Sequence, residues 1–454
     1  MTITTHNPAT GEKLEDYTEL TAGEIESRLA KAADCYADWS KSDYKTRTDL
    51  LSAIADAFEA HSDQLGRQIT LEMGKTFASA KAEARKCATA FRYYAEHGPA
   101  LLEDVKWERA DGNVYTRYLP IGPVLAIMPW NFPLWQAVRF IAPTIMAGNV
   151  GLLKHASVTM GCAEMMDEVI RGAGAPEGLF QNLVIKAGAV AGIVEDERIV
   201  AATLTGSEGA GSAVAETAGR QLKKMVLELG GSDPFIVMPS ADIADAAEKA
   251  VKARVQNTGQ SCICGKRMIV HAEIYDDFMD RFRAGMKAVQ WGDPFDDATD
   301  MGPLSSFEQR DTVLEQMEKV RGTDATVEFG GEAVGQGGAY MDAGIISGMT
   351  TENPLMEEEL FGPVAMVFKA KDADDAIRIA NRSPYGLGSA VFTQDEAEQA
   401  KFIDGIESGM TAINKVLASM PEAPFGGIKR SGYGRELSAF GLHEFMNAKT
   451  VFAD

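Results

Sequence analysis

Ile199-Val200-Ala201-Ala202-Thr203-Leu204-Thr205-Gly206-Ser207-Glu208-Gly209-Ala210-Gly211 reads as a buried strand, a glycine turn and the opening of a helix. The run of small and β-branched residues has the length of a strand covered on both faces. Glycines at the turn let backbone N–H groups reach an anion at the helix N-terminus. Gly206 and Gly211 have four residues between them, which is not the usual dinucleotide fingerprint. Upstream, short apolar runs at 124–128, 150–154 and 183–185 are separated by helical stretches such as 159–172. This alternation predicts a parallel sheet with helices on both faces, and hence an α/β fold.

Downstream, 224–229 repeats the pattern and ends in Glu228-Leu229-Gly230-Gly231-Ser232, which puts a carboxylate into an apolar run. Such a group is costly unless paired or functional, and burial raises its pKa toward that of a general base. Glu228 is therefore either a base or a structural carboxylate held by backbone donors. Residues 232–238 begin a second alternating region, with helices expected at 243–258 and 274–289. Near the N-terminus, 22–98 reads as helical: Leu50, Leu51, Ile54, Ala55 and Phe58 share one stripe, and 44–65 lacks Pro and Gly. Between these regions, 107–119 alternates around Asp111-Gly112, a hairpin signal. A lone hairpin is marginal in water, so this one is expected to dock elsewhere, as on another subunit.

With 454 residues, 45% hydrophobic and 24% charged, the chain exceeds a single core and divides into two or three domains. Five cysteines, Cys35, Cys87, Cys162, Cys262 and Cys264, are too few and odd in number for a disulfide framework. The N-terminus lacks a basic and apolar signal region, so a cytoplasmic location is expected. A net charge of -22 argues against nucleic acid and anionic lipid as partners. The apolar segment 118–153 holds Arg139 as its only charge, but Pro120, Pro123, Pro129, Pro133 and Pro143 interrupt it, which excludes a single membrane-spanning helix. No metal is expected.

A reactive thiol is suggested by Gln256-Asn257-Thr258-Gly259-Gln260-Ser261-Cys262-Ile263-Cys264-Gly265-Lys266-Arg267. Cys262 sits there among polar and conformationally permissive residues, with two cations following. A nucleophile must be thiolate, only a few per cent of the thiol at neutral pH unless cations or a helix N-terminus favour it. The competing reading is a small buried hydrophobe.

Seven segments combine these signals. Pro129-Trp130-Asn131-Phe132-Pro133, Lys154-His155-Ala156-Ser157, Thr205-Gly206-Ser207, Glu228-Leu229-Gly230-Gly231, Gly259-Gln260-Ser261-Cys262, Glu359-Leu360-Phe361-Gly362-Pro363 and Pro424-Phe425-Gly426-Gly427 occur in the order seen in NAD(P)-dependent aldehyde dehydrogenases. The chain resembles that family from Asn7 to the C-terminus. The resemblance implies a Rossmann-type cofactor domain (1–106 and 121–230), an α/β catalytic domain (231–445) and a small β oligomerisation element (107–120 and 446–454). A homodimer or homotetramer follows from the same likeness. It further implies Cys262 as the nucleophile that forms a thiohemiacetal and then a thioester. Asn131 would be the oxyanion donor and Glu228 the base for hydrolysis. Lys154 and Ser157 would contact the adenine ribose, Trp130, Gly206, Ser207 and Gly211 would belong to the cofactor site, and Glu359 and Phe361 would meet the nicotinamide end. Serine at 157, where a carboxylate would repel a 2′-phosphate, implies use of NAD or NADP.

The resemblance extends to bacterial enzymes that act on succinate semialdehyde. There an arginine like Arg139 binds the far carboxylate; a buried guanidinium needs a carboxylate in any case, so a structural ion pair is the other reading. Some members carry a second arginine where this chain has Gln256, and Ser419 offers a compensating hydroxyl. Cys264 resembles the partner cysteine of redox-regulated members, or is simply a small core residue. Alternatives are a broader semialdehyde or aliphatic aldehyde dehydrogenase, an acylating enzyme, and a cofactor-free cysteine hydrolase drawing a base from His6, His61, His97, His155, His271 or His443.

Overall fold

The computed structural model describes residues 2–108, 113–335 and 337–453. Two large sheets carry the molecule. The first has six strands in the order Gly432–Tyr433, Lys224–Glu228, Ala201–Thr205, Pro123–Met128, Val150–His155, Phe180–Asn182. All neighbours are parallel except Gly432–Tyr433, which lies antiparallel to Lys224–Glu228. Met128 faces His155, Ile127 faces Leu204 and Thr205 faces Glu228, so the carboxyl ends share one edge. The chain winds first to one side of Pro123–Met128 and then to the other. At such a switch point the helices diverge and leave a crevice for ligand.

The second sheet has seven strands in the order Thr326–Phe329, Gly344–Ser347, Val364–Ala370, Gly265–His271, Asp233–Val237, Ala390–Phe392, Ala412–Ile413. A three-stranded sheet joins Met446–Ala453, Asn113–Pro120 and Val105–Trp107. Val105–Trp107 and Asn113–Pro120, which pair antiparallel, are the expected hairpin arms; the turn expected at Asp111-Gly112 lies outside the described residues.

Four helices, Ala22–Trp39, Tyr44–Ala60, Ser62–Met73 and Phe77–Leu101, fill the predicted N-terminal region. Leu51, Ile54, Ala55 and Phe58 are fully buried along the expected stripe. The run 183–185 is not a strand: pairing occupies Phe180–Asn182, and the Ile185 N–H turns back to the Leu183 carbonyl. The helix expected over 243–258 stops at Val255, because Asn257 and Thr258 take left-handed φ values of 54°. The segment 118–153 resolves into strands around the Trp135–Ala147 helix, and among the described residues no helix is long and apolar enough to cross a membrane. Phe425, Leu437, Leu442 and Phe445, late in the chain, join the core of the first sheet rather than the second.

Candidate active site

The loop before Cys262 is bent sharply. Asn257, Thr258 and Gly259 have φ of 54°, 54° and 74°, and a Cβ on Gly259 would fall 2.2 Å from the Gly362 carbonyl. Three consecutive left-handed residues, one of them β-branched, persist only when their surroundings hold them. The Asn257 amide donates to the carbonyls of Asn131 (2.9 Å) and Gln260 (3.0 Å), while Gln260 Oε1 accepts from Ser305 N–H (2.9 Å). Asn131 Nδ2 donates to Gln260 O at 3.1 Å. The Asn131 and Cys262 loops, far apart in sequence, are thereby one unit.

Cys262 stands between two chambers. The larger, about 280 Å³, includes Trp130, Asn131, Gly206, Ser207, Gly230, Glu359 and Phe361 in its wall. The smaller, about 110 Å³, includes Arg139, Ser419 and Phe425, together with Lys86 and Gln256. That space equals roughly four water molecules. Asn131 faces the larger chamber, and Cys262 belongs to both.

Electrostatics depart from expectation at the thiol. Arg139 and Lys266 both favour thiolate, yet burial outweighs them and pushes Cys262 up to about 12. Each cation lies beside a carboxylate of its own. Lys266 Nζ donates to the carbonyls of Ser261 (2.7 Å) and Cys262 (2.8 Å) and pairs with Glu359 at 2.9 Å. Arg139 Nε lies 2.8 Å from Glu436 Oε2, and its guanidinium stacks over Phe425 at 4.3 Å. Of the two readings of Arg139, the ion pair is therefore realised, although the residue still borders the smaller chamber.

Glu228 joins this buried cluster. Burial first, then the neighbouring Glu436, hold its carboxyl well above the usual range, while Arg139 opposes the shift. Its Oε1 packs against Gly426, where a Cβ would approach to 2.5 Å, and Glu228 lines neither chamber. No histidine lines either chamber, which removes the base that a cysteine hydrolase requires. His155 is buried against the Pro133 carbonyl and Thr159, and desolvation drops it to about 4.

A family model, Aldehyde dehydrogenase family, matches residues 1–451. The chain belongs to the aldehyde dehydrogenase family. It is similar to succinate-semialdehyde dehydrogenase (NADP+) 1 of Mycobacterium tuberculosis strain H37Rv, at 52% identity over 455 residues and the full length of both chains. The solved succinic semialdehyde dehydrogenase from Streptococcus pyogenes, in complex with NADP+, matches 99% of both chains with a TM-score of 0.97 and 37% identity. Gox0499 matches 99% of both chains with a TM-score of 0.98 and 38% identity.

Of the remaining expected cofactor residues of this aldehyde dehydrogenase, Trp130, Lys154, Ser157, Gly206 and Ser207 lie at or just beyond the carboxyl ends of first-sheet strands, while Glu359 and Phe361 come from the segment before Val364–Ala370. Ser207 caps the Glu208–Arg220 helix, its hydroxyl accepting from Ala210 N–H at 3.4 Å. A Cβ on Gly206 would have Leu204 at 3.6 Å as its nearest neighbour, and its N–H donates to the Glu228 carbonyl at 3.0 Å, so the N–H groups left for a phosphate are those at the start of the following helix. Gly211 lies inside the helix, where a Cβ would sit 2.7 Å from Leu229, so glycine there lets the helix pack closely. Lys154 is the penultimate residue of its strand and Ser157 opens the next turn, outside the wall of the larger chamber; burial lowers the Lys154 pKa. Trp130 and Phe361 meet edge to face at 5.7 Å. Glu359 is held by Lys266 and by Gly231 N–H at 3.1 Å. An open helix N-terminus, an aromatic pair and a ribose end without a carboxylate suit a nicotinamide dinucleotide.

Two sets of wall residues escaped the sequence reading. Gln309, Thr312 and Gln316 present one face of the Phe307–Arg321 helix to the larger chamber, at a spacing that could have revealed them. Lys86 lies within the Phe77–Leu101 helix, where a lysine looks like solvated surface.

Proposed function

We propose that this aldehyde dehydrogenase oxidises succinate semialdehyde to succinate with NADP+. The observation that carries the reading is Cys262 at the junction of a cleft lined by Trp130, Gly206, Ser207, Glu359 and Phe361 and a small chamber bordered by Arg139 and Ser419. The named relatives and the neutral Ser157 support the same substrate and cofactor.

Cys262 Sγ, once deprotonated, adds to the aldehyde carbon. One Asn131 amide hydrogen is taken by Gln260; the other, with the Cys262 backbone N–H, holds the oxyanion, and one such donor is worth about 3 kcal/mol. NADP+, when bound, supplies the hydride acceptor, with Gly206 and Ser207 at its phosphates, Lys154 and Ser157 at the adenine ribose, and Trp130, Glu359 and Phe361 toward the nicotinamide. The thioester left on Cys262 is hydrolysed by water, for which Glu228 is the base after its side chain turns out of the Arg139–Glu436 cluster.

NADH and NADPH formation with a panel of aldehydes tests this. Succinate semialdehyde with NADP+ is expected to give the largest kcat/KM. Equal rates with butanal would favour the broader aliphatic activity that the neutral Gln256 leaves open, and no reduced cofactor with any aldehyde would sink the whole reading.

The chain is further proposed to be cytoplasmic, its five cysteines all being free, and to form a homodimer or homotetramer through the three-stranded sheet. Limited proteolysis tests the three-part division at 106/107, 120/121, 230/231 and 445/446. Cys264 is buried, its Sγ 3.7 Å from the Gln256 carbonyl. Peroxide, reduced to water, would convert the Cys262 and Cys264 thiols to a disulfide and inactivate the enzyme. Unchanged peroxide sensitivity in Cys264→Ala would refute that link.

A further inference from the structure

Lys266 and Arg267 follow the nucleophile as adjacent cations, and the strand Gly265–His271 sends their side chains to opposite faces. Arg267 is occupied away from the thiol. Its guanidinium donates to the carbonyls of Ser232 (2.7 Å), Ile379 (2.9 Å) and Ala380 (2.9 Å), the last two at the C-terminal end of the Ala373–Asn381 helix. Carbonyls at a helix end lack partners within the helix and favour a cation, which accounts for Arg267. Lys266 has a different set of partners. Its three ammonium donors meet three acceptors: the Ser261 carbonyl at 2.7 Å, the Cys262 carbonyl at 2.8 Å and Glu359 Oε1 at 2.9 Å.

This ion pair is sealed at one end and open at the other. Lys266 is fully buried, whereas the Glu359 side chain is 19% exposed and borders the larger chamber. Glu359 Oε1 is taken by Lys266 and by Gly231 N–H at 3.1 Å, and Oε2 accepts no hydrogen bond from the described residues. Asp233, a buried carboxylate nearby, takes the Gly388 N–H at 3.0 Å instead. Desolvation offsets most of the attraction in a buried ion pair, so an apolar side chain at 266 would serve stability about as well. An apolar side chain would not hold the nucleophile's own peptide and a chamber-facing carboxylate in one fixed relation. The two members also act oppositely on the thiol: Lys266 favours the Cys262 thiolate and Glu359 opposes it.

We propose that Lys266 is a positioning residue that locks the Cys262 peptide to the Glu359 carboxylate and thereby sets the nicotinamide ribose of NADP+ against the thiol. This rests on the reading of Glu359 as a contact at the nicotinamide end.

Two measurements test it: iodoacetamide alkylation of Cys262 in the cofactor-free enzyme at pH 9, and the Kd for NADP+ from quenching of tryptophan fluorescence. Lys266→Met should weaken NADP+ binding about 10-fold and slow alkylation about threefold or more. Glu359→Gln should weaken NADP+ binding by a similar factor yet speed alkylation. Because Lys266 reaches the cofactor through Glu359, the double variant should bind NADP+ within about threefold of Glu359→Gln alone. Losses that multiply in the double variant would mean that Lys266 serves only the fold, and would overturn the proposal. So would an unchanged Kd in Lys266→Met beside a weakened one in Glu359→Gln. An unchanged Kd in Glu359→Gln would remove the cofactor role of Glu359 and the proposal with it. Should Lys266→Met fail to fold, Glu359→Gln decides: faster alkylation with weaker NADP+ binding supports the pairing, and slower or unchanged alkylation refutes it.

Discussion

At Cys262 two effects oppose each other, and desolvation wins over the attraction of Arg139 and Lys266. The thiol of the free enzyme is thus protonated at neutral pH. Iodoacetamide inactivation should be slow at pH 7 and rise roughly tenfold per pH unit through pH 9, because the thiolate fraction rises that steeply below the pKa; a plateau below pH 8 would contradict this. Glu228 supplies a second sign. Its pKa in the fold exceeds its unfolded value, so between those values the native state holds the extra proton. Stability therefore falls as pH rises above the unfolded carboxylate range. Glu228→Gln removes that penalty, and its Tm should gain on wild type more at pH 8 than at pH 5. The same variant should lose thioester hydrolysis about 10²- to 10⁴-fold, visible as a burst of NADPH followed by slow turnover.

Among the elements, the Trp135–Ala147 helix matters most, since its N-terminus carries the Asn131 turn on one side and Trp135 on the other. Glu83 caps that N-terminus from the Phe77–Leu101 helix while neutralising Lys75, which itself lies over the Phe132 ring at 3.9 Å. Glu83→Gln strands a buried ammonium, and urea unfolding should report a loss of about 3–5 kcal/mol. A smaller change would mean that Lys75 finds another acceptor. The Glu208–Arg220 helix sits against its strand through Gly211. Gly211→Ala forces a methyl onto Leu229, so a cost of about 1–3 kcal/mol is expected, with a raised KM for NADP+ as the turn shifts.

For the whole molecule, the three-stranded sheet leaves large apolar side chains uncovered. Its ladder pairs Met446–Ala453 with Asn113–Pro120 over eight positions, yet Trp107 is 54% and Phe452 76% exposed. Deleting residues 447–454 should shift sedimentation from dimer or tetramer to monomer; an unchanged profile would move the interface elsewhere. The site itself spans the larger parts: Asn131 comes from the first sheet's edge, Cys262 from the approach to the second, and Phe425 and Ser419 from the C-terminal segment.

Local chemistry was readable in the sequence. The strand at 199–205, its glycine turn, the carboxylate of Glu228 and the thiol of Cys262 each followed from residue type and periodicity, which depend on a few neighbours along the chain. The family likeness then gave their roles an order. The tertiary structure alone decided what those groups meet. That Arg139 pairs with Glu436, almost three hundred residues later, that Glu228 is turned away from both chambers, that burial overrides the cations beside Cys262, and that Lys266 joins the Cys262 carbonyl to Glu359 are all consequences of long-range packing. Charge and desolvation depend on distance in space, and no spacing along the chain records it.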